Sequence, residues 1–449
     1  MHICAIEPVV VNLTTVSSRT TNGATSFRYV ILALAFGITL VNYMDRSAIS
    51  YAIGPIEKEF GLNDTDFGLI EAAFGIGYAV MTLVGGIMVD RWGARRVWPA
   101  AAISWSCCTA AMGFASGFPF LFSLRTMLGL AEGPHFPSLT RVVADWLPRG
   151  ERVRATAIGL CAVPLASAIG APLISHLILS VGWKPMFLIM ASLGVIWAVA
   201  WFLIFRDYPH SCKFVGEAEL QYIQEGQVND RLVTDDQRRS AQRSEGATTW
   251  RMLLTNKSLI ANNIAYFAFG YSLFFALNWL PGYLEHAYGV QLKDAGLLLV
   301  APWLTAAVLL PLAGWLSDFL WTKTGSKQIS RSHLICVSQL ISALGYIPIL
   351  FSPSLPVAIV SISIGVGFGM MPNAAFYAIN CDLAKDRAAT SQGLMNCCSA
   401  VASVLAPLLT GIIASQTGSF TGAFSILIFF TLVSVVCVAT FQRLDAEGK

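Results

Sequence analysis

The chain alternates long apolar runs with short polar stretches, and nearly every run is long enough to cross a lipid bilayer. A membrane-spanning helix needs roughly 20 mainly apolar residues in succession. Pro134 and Pro137 predict an interruption of the fourth such helix, and Pro164 and Pro172 predict one in the fifth. The pattern predicts twelve spanning helices, covering residues 29–54, 66–89, 97–117, 119–143, 153–180, 184–205, 257–284, 291–317, 332–352, 355–379, 388–415 and 419–441.

The composition supports a membrane protein. Hydrophobic residues make up 55% of the 449 residues and charged residues only 12%, whereas soluble domains carry about 25% charged residues. We therefore expect an all-α integral membrane protein.

One long polar segment divides the twelve predicted helices into two sets of six. It predicts a pseudo-symmetric plan of two six-helix bundles, the arrangement in which many transporters hold their substrate at the midplane between repeats. The predicted organisation is a cytoplasmic tail (1–28), a first bundle (29–205), a cytoplasmic linker (206–250), a second bundle (251–441) and a cytoplasmic tail (442–449).

The basic residues lie mainly in loops on one predicted side of the membrane. The other side carries little more than Lys58, Lys184 and Lys293. The positive-inside rule then predicts that both termini are cytoplasmic, and the basic loops are poor evidence for a nucleic-acid partner. The residues on the basic side are Arg91, Arg95, Arg96, Arg149, Arg152, Arg154, Arg206, Lys213, Arg238, Arg239, Arg243, Lys323, Lys327, Arg331, Lys385 and Arg387.

The sequence offers no sign of a metal site or of enzyme chemistry. Its ten cysteines include adjacent pairs at Cys107-Cys108 and Cys397-Cys398 but no CxxC spacing. It also lacks the HExxH, GxSxG and P-loop patterns. We expect no metal, no cofactor and no enzymatic activity, while a non-transporting membrane sensor stays open as a rival.

Related loops follow the second helix of each predicted bundle. The first is "GGIMVDRWGARR" (85–96) and the second is "AGWLSDFLWTKTGSK" (313–327). Small residues let neighbouring helices approach closely, and the Asp can interact with a facing helix end or Arg. We interpret the pattern as a gating loop formed by Gly85, Gly86, Asp90, Arg91, Gly93, Arg95, Arg96 and Asp318.

Four charged residues lie well inside predicted spans of the first bundle: Asp45, Arg46, Arg125 and Glu132. Charges at membrane depth are costly and are usually functional. Arg125 and Glu132 are seven residues apart and share one helix face. Two acids and two bases give no net charge, so protonation of one acid would make the set +1 and complementary to a monocarboxylate. Structural ion pairing is the alternative explanation.

The run G-G-x-x-x-D-R-x-G-x-R-R resembles the signature loop of the major facilitator superfamily. Four further stretches are similar to its anion:cation symporter family, which includes bacterial galactonate, hexuronate and glucarate transporters and more distant sialic acid and glutamate carriers. They are "NYMDR" (42–46), "RTMLGLAEGPHFPSLTRVVADWLPRGERVRAT" (125–156), "NWLPGYL" (278–284) and "GFGMMPNAAFYAINCDLAKDRAATSQGLMN" (367–396). The resemblance implies proton-coupled uptake of a small carboxylate, a sugar acid above all, with the proton as coupling ion.

The resemblance also implies roles for individual residues. Asp45 and Glu132 correspond to protonation sites, Arg125 to the carboxylate ligand and Arg46 to a second basic contact. An Arg fork suits a carboxylate because it can donate two parallel hydrogen bonds. Further substrate contacts are expected at Tyr78, Asn373, Tyr377, Gln392 and Asn396, although helix–helix hydrogen bonding stays open for all five and for Asn262, Tyr266 and Asn380.

Some positions depart from the family pattern. The fifth helix has "CAVPLAS" (161–167) where a Gln cluster is usual, Phe376-Tyr377 replaces a Trp, and Ser399-Ala400 replaces a Gly-Asn pair. These departures favour an alternative substrate class, aromatic or other carboxylates, carried by a transporter or exchanger of the same fold. We expect the protein to be a monomer.

Overall fold

The computed structural model describes residues 26–224, 250–384 and 388–444. Across those ranges the chain forms helices, turns and bends, with no strand. Predictions for most of the first tail, the middle of the linker, Lys385, Arg387 and the last five residues lie outside the described residues.

The helices follow the predicted order, and we number them as spans 1 to 12. Short helices also cover Ile53–Phe60, Pro209–Ser211 and Trp250–Thr255. The spans are Phe27–Tyr51 (1), Asp64–Trp92 (2), Ala94–Met112 (3), Phe118–Glu132 with His135–Trp146 (4), Arg149–Val181 (5), Trp183–Ile204 (6), Lys257–Tyr288 (7), Leu292–Leu298 with Val300–Thr324 (8), Gln328–His333 with Leu334–Tyr346 and Ile347–Phe351 (9), Leu355–Met370 with Asn373–Ala384 (10), Ala388–Thr417 (11) and Thr421–Phe441 (12).

Most of these spans have the apolar length that a membrane demands. Within the described ranges, nine helices are long and apolar enough to cross a bilayer, and span 2 makes a tenth when its two parts are counted together. Spans 3 and 4 are not among these helices. Span 3 carries Arg95 and Arg96 in its first turn, and span 4 is broken and carries Arg125 and Glu132. With them the predicted set of twelve helices is complete.

Proline does not interrupt every span in which it occurs. Span 4 breaks at Gly133 and Pro134, as expected, whereas Pro137 lies inside the helix His135–Trp146 and does not interrupt it. Span 5 instead runs as one helix from Arg149 to Val181, so the predicted interruption at Pro164 and Pro172 is wrong. Neighbouring helices and adjusted backbone geometry can accommodate a proline inside a membrane helix without ending it.

Among the described residues, the close contacts between the two sets of six helices lie on one side. We call the side that carries Phe27 and Phe441 the terminal face and the opposite side, which carries the 52–63 and 289–291 connections, the distal face. Near the distal face span 2 crosses span 11 so closely that a Cβ at Gly68 would lie 2.7 Å from the Pro407 carbonyl oxygen. Similar approaches join Gly75 to Ser403, Gly296 to Ser175 and the ring of Phe67 to that of Trp279.

The centre of the molecule is open toward the terminal face. Tyr78 and Tyr377 in the middle, and Asn396 and Gln392 closer to the terminal face, keep partial exposure, whereas Phe67 near the distal face is fully buried. The structure is therefore closed at its distal face, whereas several polar residues between the middle and the terminal face keep partial exposure.

Candidate functional site

Span 1 carries an adjacent acid and base at the centre of the protein. Asp45 and Arg46 are both buried, as are all the residues that follow them to Tyr51. The Arg46 guanidinium lies 4.6 Å from the ring centroid of Phe74 and 4.9 Å from that of Tyr78. Tyr43 stands at a similar distance, 4.6 Å. Three aromatic faces thus replace water around this cation and attract it through their ring quadrupoles.

Arg46 pairs with the acid at the break in span 4. Its Nη2 donates to Glu132 Oε2 at 2.7 Å, and its Nε donates to the same oxygen at 3.1 Å. Glu132 is fully buried and is the last residue of its helix. The structural alternative for span 4, an ion pair between Arg125 and Glu132, is therefore not formed; the pair joins span 4 to span 1 instead.

Arg125 pairs with an acid that the sequence analysis did not single out. Its Nη2 donates to Glu71 Oε2, and its Nη1 donates to the backbone carbonyl of Arg46 at 3.3 Å. Glu71 lies in span 2 and is buried. The sequence could have indicated Glu71, because an acid inside the predicted second span is unusual. Glu71 also shares a helix face with Phe74, three residues later, and with Tyr78, seven residues later.

The third acid stands without a counter-charge. Neither carboxylate oxygen of Asp45 has a hydrogen-bond partner among the described residues, although the side chain is buried. The central set therefore holds three acids and two bases and has a formal charge of −1 when every group is ionised. The prediction of a neutral set of four charges is therefore wrong, because it did not include Glu71.

The second half presents aromatic and amide groups to the same central region. The hydroxyls of Tyr266 and Tyr377 are 3.0 Å apart. Phe376 and Phe269 pack against Tyr266 with ring centroids 5.4 and 5.2 Å away. Asn373 is buried, and its Oδ1 has no hydrogen-bond partner within the described part of the chain.

The remaining predicted polar contacts separate into two groups. Asn262 of span 7 donates to the carbonyl of Phe376 on span 10 at 3.1 Å, and Asn380 of span 10 accepts from Ser391 Oγ of span 11 at 2.6 Å, which favours helix–helix hydrogen bonding for these two. Gln392 makes only a 3.4 Å contact with Cys381 Sγ, and Asn396 is partly exposed toward the terminal face. The latter two are free to reorient toward a ligand in the central opening.

Around the first predicted gating loop, backbone packing matters more than ion pairing. A Cβ at Gly85 would lie 2.8 Å from Pro134 Cα, so this glycine permits the approach of spans 2 and 4. Gly86 has nothing within 4 Å of such a Cβ, and its predicted role in close approach is wrong. Asp90 Oδ1 is 3.4 Å from Arg141 Nη1 on span 4.

The turn after span 2 is held by an acid from the end of span 6. Gly93 has φ +78°, and a Cβ there would lie 2.7 Å from the Asp207 carboxylate, which accepts the Arg95 amide at 2.9 Å. Arg91 and Arg96 are exposed. In the second loop Asp318 is exposed, and the ion pairs with Lys327 and Arg331 go to Asp382 of span 10 instead.

A helical membrane protein of two six-span halves, with buried charges on spans 1, 2 and 4 of its first half, has the architecture of a secondary transporter. The chain belongs to the Major Facilitator Superfamily, whose family model matches residues 35–406 and, in a second match, residues 294–449. It is a transporter and not an enzyme, as the sequence analysis predicted, and the resemblance stated there is confirmed.

Its curated relatives include named carriers of organic acids. The chain is 33% identical to the probable galactarate/D-glucarate transporter of Bacillus subtilis, over 95% of this chain and 93% of the relative. It is 29% identical to the hexuronate transporter of the same organism, over 92% and 94% of the two chains. A probable sulfoacetate transporter of Cupriavidus necator is 31% identical, over 88% and 89%.

A solved structure supports the fold alone. A bacterial homologue of the human lysosomal transporter Spinster, in an inward-facing and occupied conformation, superposes with a TM-score of 0.75 at 18% sequence identity, covering 95% of this chain and 99% of that one.

Proposed function

We propose that this protein is a proton-coupled symporter that takes up a small organic acid, of the sugar-acid class (a hexonate, hexuronate or aldarate), by alternating access. One observation carries the proposal: two buried arginines from spans 1 and 4 lie at the centre of the protein beside a buried carboxylate, Asp45, that has no counter-charge among the described residues. The names of the relatives supply the substrate class.

The arginines supply the anion site. Arg46 is fixed against three aromatic rings, and Arg125 already engages two acceptors, a carboxylate and a backbone carbonyl, through separate Nη groups. A planar guanidinium in this setting can bind a substrate carboxylate with two hydrogen bonds. Tyr78, Tyr377, Asn373, Gln392 and Asn396 would contact the remainder of the substrate.

Asp45 and Glu132 supply the proton coupling. Burying an ionised carboxylate without a partner costs several kcal/mol, so Asp45 is the acid on which we place the first transported proton. Glu132 would take up a proton when the substrate draws Arg46 away from it. The coupling thus follows from charge balance, and no cofactor is involved.

The proposal also fixes the orientation. The terminal face would be the cytoplasmic side of a bacterial inner membrane, with both termini inside and the structure open inward, and the protein would act as a monomer. The Lys/Arg excess in the loops of that face supports this orientation.

A second candidate substrate class has its own support. The wall opposite the arginines is aromatic, with Tyr266, Phe269, Phe376 and Tyr377 in mutual contact. Such a wall suits the apolar body of an aromatic carboxylate, carried by uptake or exchange.

The test is uptake by purified protein in liposomes. With an acidic exterior and a neutral interior, we expect accumulation of radiolabelled D-glucuronate, D-galactonate or D-glucarate, and a protonophore should abolish it. The Glu132→Gln variant should lose proton-driven accumulation while retaining some exchange, because exchange requires no net proton movement. Accumulation of aromatic acids alone would select the second candidate, and movement of only neutral sugars or cations would refute both.

A further inference from the structure

Glu71 is the one buried acid of the central set to which the proposed function gives no task. It lies on span 2 and faces span 4, and its Oε2 accepts a hydrogen bond from Arg125. The ring of Phe74, one turn further along the same span, lies 5.1 Å from the Arg125 guanidinium and 4.6 Å from that of Arg46. Glu71 is thus part of the anion site.

Both arginines are already neutralised in this conformation. Arg46 is paired with Glu132 and Arg125 with Glu71, and all four side chains are at most 3% exposed. An anion that approaches Arg125 meets an ionised carboxylate already bound to the fork that it needs. Two carboxylates do not share one site while both are ionised, because like charges at this distance repel strongly in a poorly hydrated setting.

We propose that Glu71 is an internal competitor of the substrate: its carboxylate occupies Arg125 in the empty transporter and must take up a proton before Arg125 binds the carboxylate of the transported acid. In that exchange the proton goes to Glu71, the Arg125–Glu71 ion pair is replaced by an Arg125–substrate ion pair, and the released Glu71 is a neutral acid. Glu71 is a positioning and specificity-determining residue, and this role rests on the proposed function.

The net charge of the central set indicates how many protons Glu71 adds to the transport cycle. With Asp45 protonated and Glu132 still ionised beside Arg46, the central set is neutral, and protonation of Glu71 makes it +1, which a bound monoanion balances. The later proton on Glu132 is the same with or without Glu71. Glu71 therefore adds one proton to each cycle and sets how binding depends on pH.

A purely structural counter-ion predicts different behaviour from a competitor. If Glu71 only stabilises buried Arg125, its neutralisation leaves an unpaired cation, lowers thermal stability and does not alter how binding depends on pH. If it competes, its neutralisation frees Arg125, so the anion binds more tightly at neutral pH and the dependence of affinity on pH becomes weaker.

The experiment compares full-length wild type and Glu71→Gln in detergent, measuring affinity for the monoanions D-glucuronate and D-galactonate at several pH values. We expect tighter binding by Glu71→Gln at neutral pH, by roughly 10-fold or more, since a neighbouring like charge shifts ionic equilibria by about 10- to 1000-fold. The same variant in liposomes should need one proton fewer per substrate, read from the membrane potential that balances a known substrate gradient.

Two further variants keep the result interpretable. Glu59→Gln is the matched control, because Glu59 is an exposed distal-face acid that pairs with Lys184, and it should bind as the wild type does. Glu71→Asp serves if Glu71→Gln does not fold: the shorter side chain should bind Arg125 less well and raise the affinity while preserving the pH dependence. Wild type that binds the acids, with Glu71→Gln unchanged or weaker at every pH, would refute the competitor alone; wild type that binds none of them would refute the proposed function.

Discussion

At the scale of single residues, the two central arginines are held by different means. Arg46 is surrounded by the rings of Tyr43, Phe74 and Tyr78 and pairs with Glu132 through a single oxygen. Arg125 uses two Nη groups for two different acceptors. Arg46 thus directs its donors at one oxygen, whereas Arg125 spreads its donors over two acceptors.

The Arg125→Lys substitution tests whether the guanidinium fork of Arg125 engages the substrate. Lysine keeps the charge but cannot place two donors in one plane, so one charge-assisted hydrogen bond to the substrate should be lost. Such a bond contributes about 1.5–3 kcal/mol, and affinity for D-glucuronate should fall roughly 10- to 150-fold. The control is Arg154→Lys, because Arg154 is exposed on span 5. Normal affinity in Arg125→Lys would mean that the fork does not engage the substrate.

At the scale of helices, the crossing of spans 2 and 4 brings Glu71 within reach of Arg125. A Cβ at Gly77 would overlap the Thr126 carbonyl oxygen, and a Cβ at Gly129 would overlap that of Phe74. Small residues at such crossings let helix backbones approach in a membrane. The two glycines therefore determine the distance between the helices that carry the central charges.

Gly129→Ala should separate the two spans or strain them. Overpacking of a tight contact costs about 1–3 kcal/mol, so we expect a lower apparent melting temperature in detergent and weaker organic-acid binding. Gly37→Ala on span 1 is the matched control, since a Cβ there has nothing within 4 Å and stability should be unchanged. Equal melting curves for the two variants would show that the crossing of spans 2 and 4 accommodates an extra methyl group without strain.

At the scale of the whole molecule, closure of the distal face gathers acids from both halves. One carboxylate oxygen each of Glu57 and Asp64 and one imidazole nitrogen of His286 lie within 4.8 Å of one another. The Glu285 carboxylate is also near, because it would lie 3.0 Å from a Cβ at Gly54. The pKa of Glu57, outside the spans, is raised to about 8 by burial and then by the charges of Asp64, Glu285 and Asp66. The closed state consequently holds a proton that separated or unfolded halves release.

The direction of the pH effect follows from this raised pKa. Below the ordinary pKa range of glutamate, Glu57 is protonated in both the folded and the unfolded state. Between that range and pH 8, Glu57 is protonated only in the closed, folded state. Stability should therefore decrease as the pH rises toward about 8 and change little above it.

Glu57→Gln isolates this contribution. We expect its melting temperature to vary less with pH than that of the wild type between mildly acidic and mildly alkaline solution, because the titrating group is gone. Glu59→Gln, on the same short helix but exposed and paired with Lys184, should retain the wild-type dependence. Parallel melting profiles for wild type and Glu57→Gln would place the pH dependence elsewhere.

Much of the architecture follows from the sequence because the membrane limits the choices. Spanning segments must be helical and apolar, so the runs fix the number, order and approximate bounds of the spans. Charges inside such runs are rare, which is why Asp45, Arg46, Arg125 and Glu132 were recognisable. Span 5 shows the limit: Pro164 and Pro172 indicate a break, yet whether a helix breaks depends on the neighbours that satisfy its backbone.

Only the tertiary structure decided which charges meet. Sequence placed Arg125 and Glu132 on one face of span 4, but each pairs with a different helix, because the crossing of spans 1, 2 and 4 brings Arg46 and Glu71 closer than the i, i+7 neighbour. The tertiary structure also leaves Asp45 without a counter-charge among the described residues. It shows that Gly85 lies against span 4, whereas a Cβ at Gly86 would have no neighbour within 4 Å. A sequence records which side chains are costly in a membrane, whereas their partners depend on helix packing between residues far apart in the chain.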